Sequence, residues 1–237
     1  MIKAKNISFN AGGREILKNI NFELPSGVLS GVAGPNGSGK TTLLNILCGA
    51  LKPTEGEVFL DGQNITELTR KERALLFSYL PAEIFLPFDF KVKDIIIMGR
   101  APHKNFLQNY DAQDAEIAAK AAERIGIADK AQRTVNTLSS GEKQKVFIAQ
   151  ALAQNAKILF LDEPNSHLDL AAQQELMELL KSLENITAVI VSHDVNLLKK
   201  HCALAVLLEN GRIAAQGAAQ EVFSPANINK VYKRTII

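Results

Sequence analysis

Gly34-Pro35-Asn36-Gly37-Ser38-Gly39-Lys40-Thr41 is the stretch that decides the fold. It satisfies G-x-x-x-x-G-K-[ST], a spacing set by the chemistry of holding phosphate. Glycines let successive backbone N–H groups turn inward around an anion with no side chain in the way. Lys40 supplies a point charge suited to β- and γ-phosphates, and the Thr41 hydroxyl, with Thr42 beside it, is a hard oxygen suited to Mg²⁺. Upstream, Val28-Leu29-Ser30-Gly31-Val32-Ala33 reads as a strand. Downstream, Leu43, Leu44, Leu47 and Leu51 recur at helical spacing, which predicts a helix over Thr41–Leu51, with Pro53 just beyond. A helix opening on this loop adds its own N-terminal dipole to the anion site.

A phosphate loop needs an acidic strand end to hold the metal. Ile158-Leu159-Phe160-Leu161 is a continuous apolar run, as a strand covered on both faces should be, and Asp162-Glu163-Pro164 follows at once. Asp162 is placed to bind Mg²⁺ through water, and Glu163 to orient or deprotonate an attacking water. Further on, a helix is expected from about Leu170 to Leu183 and a strand over Ala188–Val191. A helix near Val195–Lys200 and a strand over Leu204–Leu208 follow, closed by an Asn210-Gly211 hairpin turn. The first third reads as strands: residues 2–9, Asn21–Leu24 and Glu57–Leu60. Asp111–Ile125 and Leu138–Ala153 read as helices, and little between residues 84 and 153 resembles a strand. Alternating strands and helices predict an α/β fold with a mostly parallel sheet, interrupted by a helical insert.

With 237 residues, 46% of them hydrophobic, the chain can build a substantial core. A net charge of +2 gives no reason to expect a nucleic-acid groove, and nucleic acid is not expected as a partner. Met1–Phe9 does not read as a signal peptide, and the longest apolar runs fall far short of a membrane span, so any work on a membrane is expected to go through a partner. Cys48 and Cys202 lie in apolar stretches without metal-ligand spacing and read as buried thiols of a cytoplasmic protein.

Leu138-Ser139-Ser140-Gly141-Glu142 opens a helix about twenty residues before Asp162; alone it is a serine N-cap. With the phosphate loop, the acidic strand end, Ser166-His167-Leu168-Asp169 and His193 in Val191-Ser192-His193-Asp194, it makes five motifs in one order. Across essentially its whole length the chain thereby resembles the nucleotide-binding domain of ATP-binding cassette (ABC) transporters. The resemblance implies a P-loop NTPase (RecA-like) core, residues 1–82 and 154–237, with an N-terminal antiparallel β subdomain and a helical insert at 83–153. It implies ATP and Mg²⁺ as ligands, with Glu163 and His193 catalytic. Gly34 to Thr42 of one copy would bind ATP together with Ser139, Ser140, Gly141 and Glu142 of a second copy, in a head-to-tail dimer. It further implies integral membrane permease subunits as partners, a substrate-binding protein indirectly, and a place on the cytoplasmic face of the inner membrane. Met98-Gly99-Arg100-Ala101-Pro102-His103, the stretch Ser166–Leu170 and the compact length look like the ATPases of metal-chelate importers, which move ferric siderophores, haem or cobalamin. An exporter motor, or a soluble cassette ATPase of the iron–sulfur assembly type, are the alternatives.

The chain departs from the family pattern at several places. Ser140 stands where glycine is usual. Ala82 stands where the family has a metal-contacting glutamine, and Glu83, one residue on, is the expected substitute for it at the metal. Ala11 stands where many members carry an aromatic residue that stacks on adenine, and Phe9 reads as core. The apolar run Ile84-Phe85-Leu86-Pro87-Phe88-Asp89-Phe90 is either core or a surface that receives a short helix of the membrane partner.

Overall fold

The computed structural model describes residues 1–105, 107–166, 168–183 and 186–232. Strands β1 (Ile2–Ala11) and β2 (Arg14–Leu24) pair antiparallel about a Gly12-Gly13 turn in which both glycines take positive φ. Strand β3 (Leu29–Ala33) enters the glycine loop and helix α1 (Lys40–Leu47) leaves it. Next come β4 (Glu55–Leu60), β5 (Gln63–Asn64), α2 (Arg70–Leu76) and β6 (Phe77–Leu80). Helices α3 (Val92–Met98), α4 (Ala112–Ile125) and α5 (Ser140–Ala153) fill the middle. The chain continues as β7 (Ile158–Asp162), α6 (Leu170–Ser182), β8 (Thr187–Val191), α7 (Val195–His201), β9 (Leu204–Glu209) and β10 (Arg212–Ala218). The short α8 (Ala219–Val222) and α9 (Pro225–Tyr232) complete the described elements.

Two sheets result. One is antiparallel, in the order β2-β1-β4-β5; the other runs β10-β9-β3-β8-β7-β6, parallel throughout except for the β9-β10 hairpin at its edge. Asn210 and Gly211 turn that hairpin at φ 50° and 78°, the left-handed pair that a tight hairpin needs. Every residue of β7 is buried, since both faces of the parallel sheet are covered. Strand periodicity then splits the core. Ile158 and Phe160 pack with α1 and the antiparallel sheet, whereas Leu159 and Leu161 pack with α6, α7 and the helices of the middle segment. Phe9 packs against the first of these clusters, and Cys48 and Cys202 are both buried and free.

Helix α1 is shorter than its leucine spacing predicts. Gly49 takes φ 71° and ends it after Leu47, and Leu51 reaches the core from the following turn. Apolar spacing marks what is buried, and here a glycine overrides it as a marker of what is helical. Between β6 and β7 the described residues contain helices and one isolated bridge, Lys91 to Thr134.

The stretch Gly99–His103 locks this helical segment together. Arg100 donates to Asp114 Oδ1 (3.2 Å) and to the carbonyl of Ala153 (2.8 Å), Lys104 pairs with Asp111 and Asp114, and the His103 ring meets the carbonyl of Gln154 (2.8 Å). Burial would raise the Asp114 carboxyl, but hydrogen bonds from Lys104, the Asp111 backbone and Arg100 outweigh it and hold the group at about 2. Gly99 is required for a different reason. Its φ is an ordinary −56°, yet a Cβ there would lie 2.2 Å from the Gln150 carbonyl of α5. Gly99→Ala must therefore push α3 off α5, and we expect a loss of about 1–3 kcal/mol in urea unfolding. Wild-type stability in that variant would show that the contact yields freely.

Candidate functional site

The glycine loop is shaped by its glycines. A side chain at Gly34 (φ 155°) would strike the Leu208 carbonyl at 2.3 Å and Ser38 Oγ at 2.6 Å, while Gly37 (φ 77°) and Gly39 (φ 99°) hold left-handed turns. Gly39 is the N-cap of α1, so the helix begins where the loop ends. Lys40 is buried and folds back on the loop, donating from Nζ to the carbonyls of Gly34 (2.9 Å) and Pro35 (3.2 Å). Burial lowers its pKa, and the nearby charges of Glu163 and Asp162 only partly counter this. An ammonium in that setting is short of anions. Ser38 Oγ is likewise buried and, among the described residues, without a partner.

Asp162 ends β7 beside this loop and is 2% exposed. Its Oδ2 faces the Tyr79 hydroxyl at 3.5 Å, while Oδ1 is buried with no partner among the described residues. Burial chiefly raises its pKa, with Glu163 adding to the rise and the Thr41 and Tyr79 hydroxyls and Lys40 opposing it. A hard, buried, half-satisfied carboxylate beside a threonine hydroxyl is a donor set that suits a small divalent cation.

Glu163 follows in a left-handed conformation, φ 47°, which costs a non-glycine residue energy and persists because neighbours fix it. Its N–H donates to Val191 O (2.9 Å), and its carbonyl accepts from Ser166 N (3.0 Å) and Ser166 Oγ (2.7 Å). The carboxylate is turned to His193, whose Nδ1 lies 2.8 Å from Oε2 and whose N–H also reaches that oxygen at 3.3 Å. β7 and β8 are neighbours in the sheet, so their ends bring Glu163 and His193 together. An acid held by a histidine, next to a metal-competent aspartate and a phosphate cradle, is equipped to activate water.

The Leu138–Glu142 motif lies at the start of α5. Ser139 is its N-cap and accepts from the Glu142 N–H (3.3 Å), while Glu142 Oε2 accepts from the Ser139 N–H (2.8 Å). Those bonds, the backbone one first, and Lys130 pull the Glu142 carboxyl down to about 2. Glu142, expected at the nucleotide, forms a capping box with Ser139 at the helix start. Asn165, which sequence reading passed over, is 2% exposed, and its Oδ1 has no partner among the described residues. His167 lies outside the described residues. Glu83 is exposed and shares a groove with Ser140, Lys143, Gln144, Phe147 and Ser166; it makes no hydrogen bond or ion pair among the described residues. The group that β6 sends to Asp162 is Tyr79. Its signal was its register opposite Phe160, two residues before Asp162, which is invisible without the strand pairing.

The family model described as "ABC transporter" matches residues 17–166. The ferric enterobactin transport ATP-binding protein FepC of Escherichia coli is 34% identical over 234 residues, 98% of this chain and 86% of that protein. A hemin import ATP-binding protein, HmuV of Gloeobacter violaceus, is 36% identical over 95% of this chain and 84% of its own length. The uncharacterized ABC transporter ATP-binding protein YvrA of Bacillus subtilis is 37% identical over 98% of this chain, which spans about half (53%) of that relative. Among solved structures, an inward-facing metal-chelate type ABC transporter superposes with a TM-score of 0.87 at 28% identity, covering 98% of this chain and 88% of that one. The dimeric bacterial cassette MJ0796 does so at 0.80 and 28% identity, covering 92% and 99%.

Proposed function

The chain belongs to the ABC transporter family, as an ATP-binding, ATP-hydrolysing subunit, and from that premise we propose that it drives an importer of a metal chelate such as a ferric siderophore, haem or cobalamin. The observation that carries the ATPase reading is the Glu163–His193 contact of 2.8 Å beside the phosphate loop and Asp162. Support for the metal-chelate class comes from the relatives named for ferric enterobactin and hemin and from the resemblance of the string Met98–His103.

In this reading the loop N–H groups and Lys40 hold the ATP phosphates, and Lys40 exchanges the Gly34 and Pro35 carbonyls for phosphate oxygens. Thr41 and Asp162 would hold Mg²⁺, and the unpartnered Asp162 Oδ1 fits that role. The ion, when bound, withdraws charge from the phosphate oxygens. Glu163 orients the attacking water and takes its proton, and His193, released from Glu163, faces the γ-phosphate. Ser139, Ser140 and Gly141, at the N-terminus of α5, serve the nucleotide of a second copy, so the working unit is a head-to-tail dimer. The solved dimeric cassette supports that assembly.

No helix among the described residues is long and apolar enough to cross a membrane. We therefore assign the translocation path to permease subunits at the cytoplasmic face of the membrane, fed by a substrate-binding protein, with residues 83–153 as the insert that meets them. The apolar run at the start of that insert divides accordingly. Leu86 and Phe90 pack on the core, whereas Phe85 (86% exposed), which lines the Glu83–Ser140 groove, and Phe88 (69%) are exposed. The test is an affinity pull-down from detergent-solubilised native membranes, using Glu163→Gln with ATP. Recovery of a polytopic permease is expected, and adding Phe85→Asp should cut that recovery severalfold by placing a charge in the apolar contact. Recovery of soluble partners alone, from a preparation that still binds ATP, would overturn the importer reading.

A further inference from the structure

β6 ends one residue before Pro81-Ala82, so the position where the family offers a metal-contacting amide here carries a methyl group. Among the residues of β6, two bear a polar side chain. Ser78 stands opposite Leu159 on one face; Tyr79 stands opposite Phe160 on the other, the face that packs on α1 and ends at Asp162. Tyr79 is partly buried against the core cluster that holds Phe77 and Phe160. Its hydroxyl meets Asp162 Oδ2 at 3.5 Å, with Asn45 of α1 also beside it. The other carboxylate oxygen, Oδ1, is buried and unpartnered among the described residues. One oxygen thus faces the Tyr79 hydroxyl at 3.5 Å, and the other has no hydrogen-bond partner among the described residues, with the Thr41 hydroxyl also close to the carboxylate.

We propose that Tyr79 is a positioning residue for the divalent cation: its phenol holds Oδ2 of Asp162 so that Oδ1 is the oxygen turned to the hydrated ion. The inference rests on the ABC ATPase reading and deepens it, by assigning to Tyr79 the outer support of the metal that Ala82 cannot give. Groups that orient a metal-binding carboxylate in this way set affinity through geometry, and losing one costs about 10- to 100-fold in metal binding. Tyr79→Phe keeps the packed ring and removes only the donor.

The test measures Mn²⁺ binding in the presence of a non-hydrolysable ATP analogue, reading free Mn²⁺ by electron paramagnetic resonance. Tyr79→Phe should bind Mn²⁺ about tenfold more weakly than wild type, whereas Ser78→Ala, on the opposite face, should bind as wild type does. An affinity in Tyr79→Phe within about twofold of wild type would overturn the proposal. So would an equal loss in Ser78→Ala. A wild-type protein that binds no Mn²⁺–nucleotide at all would instead remove the ATPase reading beneath it.

Discussion

Glu163→Gln should hydrolyse ATP roughly 10²- to 10⁴-fold more slowly than wild type while binding it undiminished, the range expected for removing a general base. The substitution keeps the shape of the side chain and an oxygen that can accept from the His193 N–H, now 3.3 Å from Oε2, but it removes the group that takes a proton from water. The strained backbone at φ 47° is unaffected, since its supports are the Val191 carbonyl and Ser166, not the carboxylate. Binding and hydrolysis are therefore separated, and ATP should hold the variant as a dimer through size-exclusion chromatography. A turnover near that of wild type would refute the assignment of Glu163 as the base.

Lys40→Met should abolish the thermal shift that ATP produces, with the nucleotide-free protein still folded. Wild type is expected to gain about 2.7 kcal/mol at an ATP concentration one hundred times Kd. Losing a buried charge partner of the phosphates costs about 2–5 kcal/mol, roughly 30- to 5000-fold in affinity. In the nucleotide-free protein the ammonium is buried and satisfied only by two loop carbonyls, so an apolar side chain of similar length is tolerated. The pH dependence has a definite sign. Burial lowers the Lys40 pKa, so the folded protein releases that proton at lower pH than the unfolded chain does. Stability attributable to Lys40 therefore rises as pH climbs from the folded value toward the ordinary one, while ATP affinity, which needs the charge, falls over the same interval. Differential scanning fluorimetry with and without ATP across that interval reads both trends. An ATP-dependent shift that persists in Lys40→Met would place the phosphate elsewhere.

Much of the site is legible because its chemistry is local. The glycines, Lys40 and Thr41 are contiguous, Asp162 and Glu163 end an apolar run that has to be a covered strand, and Asn210-Gly211 has few uses other than a tight hairpin. Contributions from residues distant in the chain are read less well. The reciprocal capping bonds of Glu142 and Ser139 show only once the helix start is placed, and so does the groove that Glu83 shares with Ser140 and Ser166. Gly99 looks like a flexible position, and only the approach of Gln150 O shows that it is a close-packing one.

From the sequence alone come the parallel α/β core, the phosphate cradle, the order of the motifs and the identity of the acid, because period, turn residues and loop glycines act over a few neighbouring positions. Tertiary structure alone decides that His193 grips Glu163 across thirty residues, that Tyr79 meets Asp162, and that Gly99–His103 is a lock. The physical reason is strand register. Which side chains share a face at the end of a parallel sheet depends on pairings between segments far apart in the chain, and a shift of one residue turns each of them to the other side.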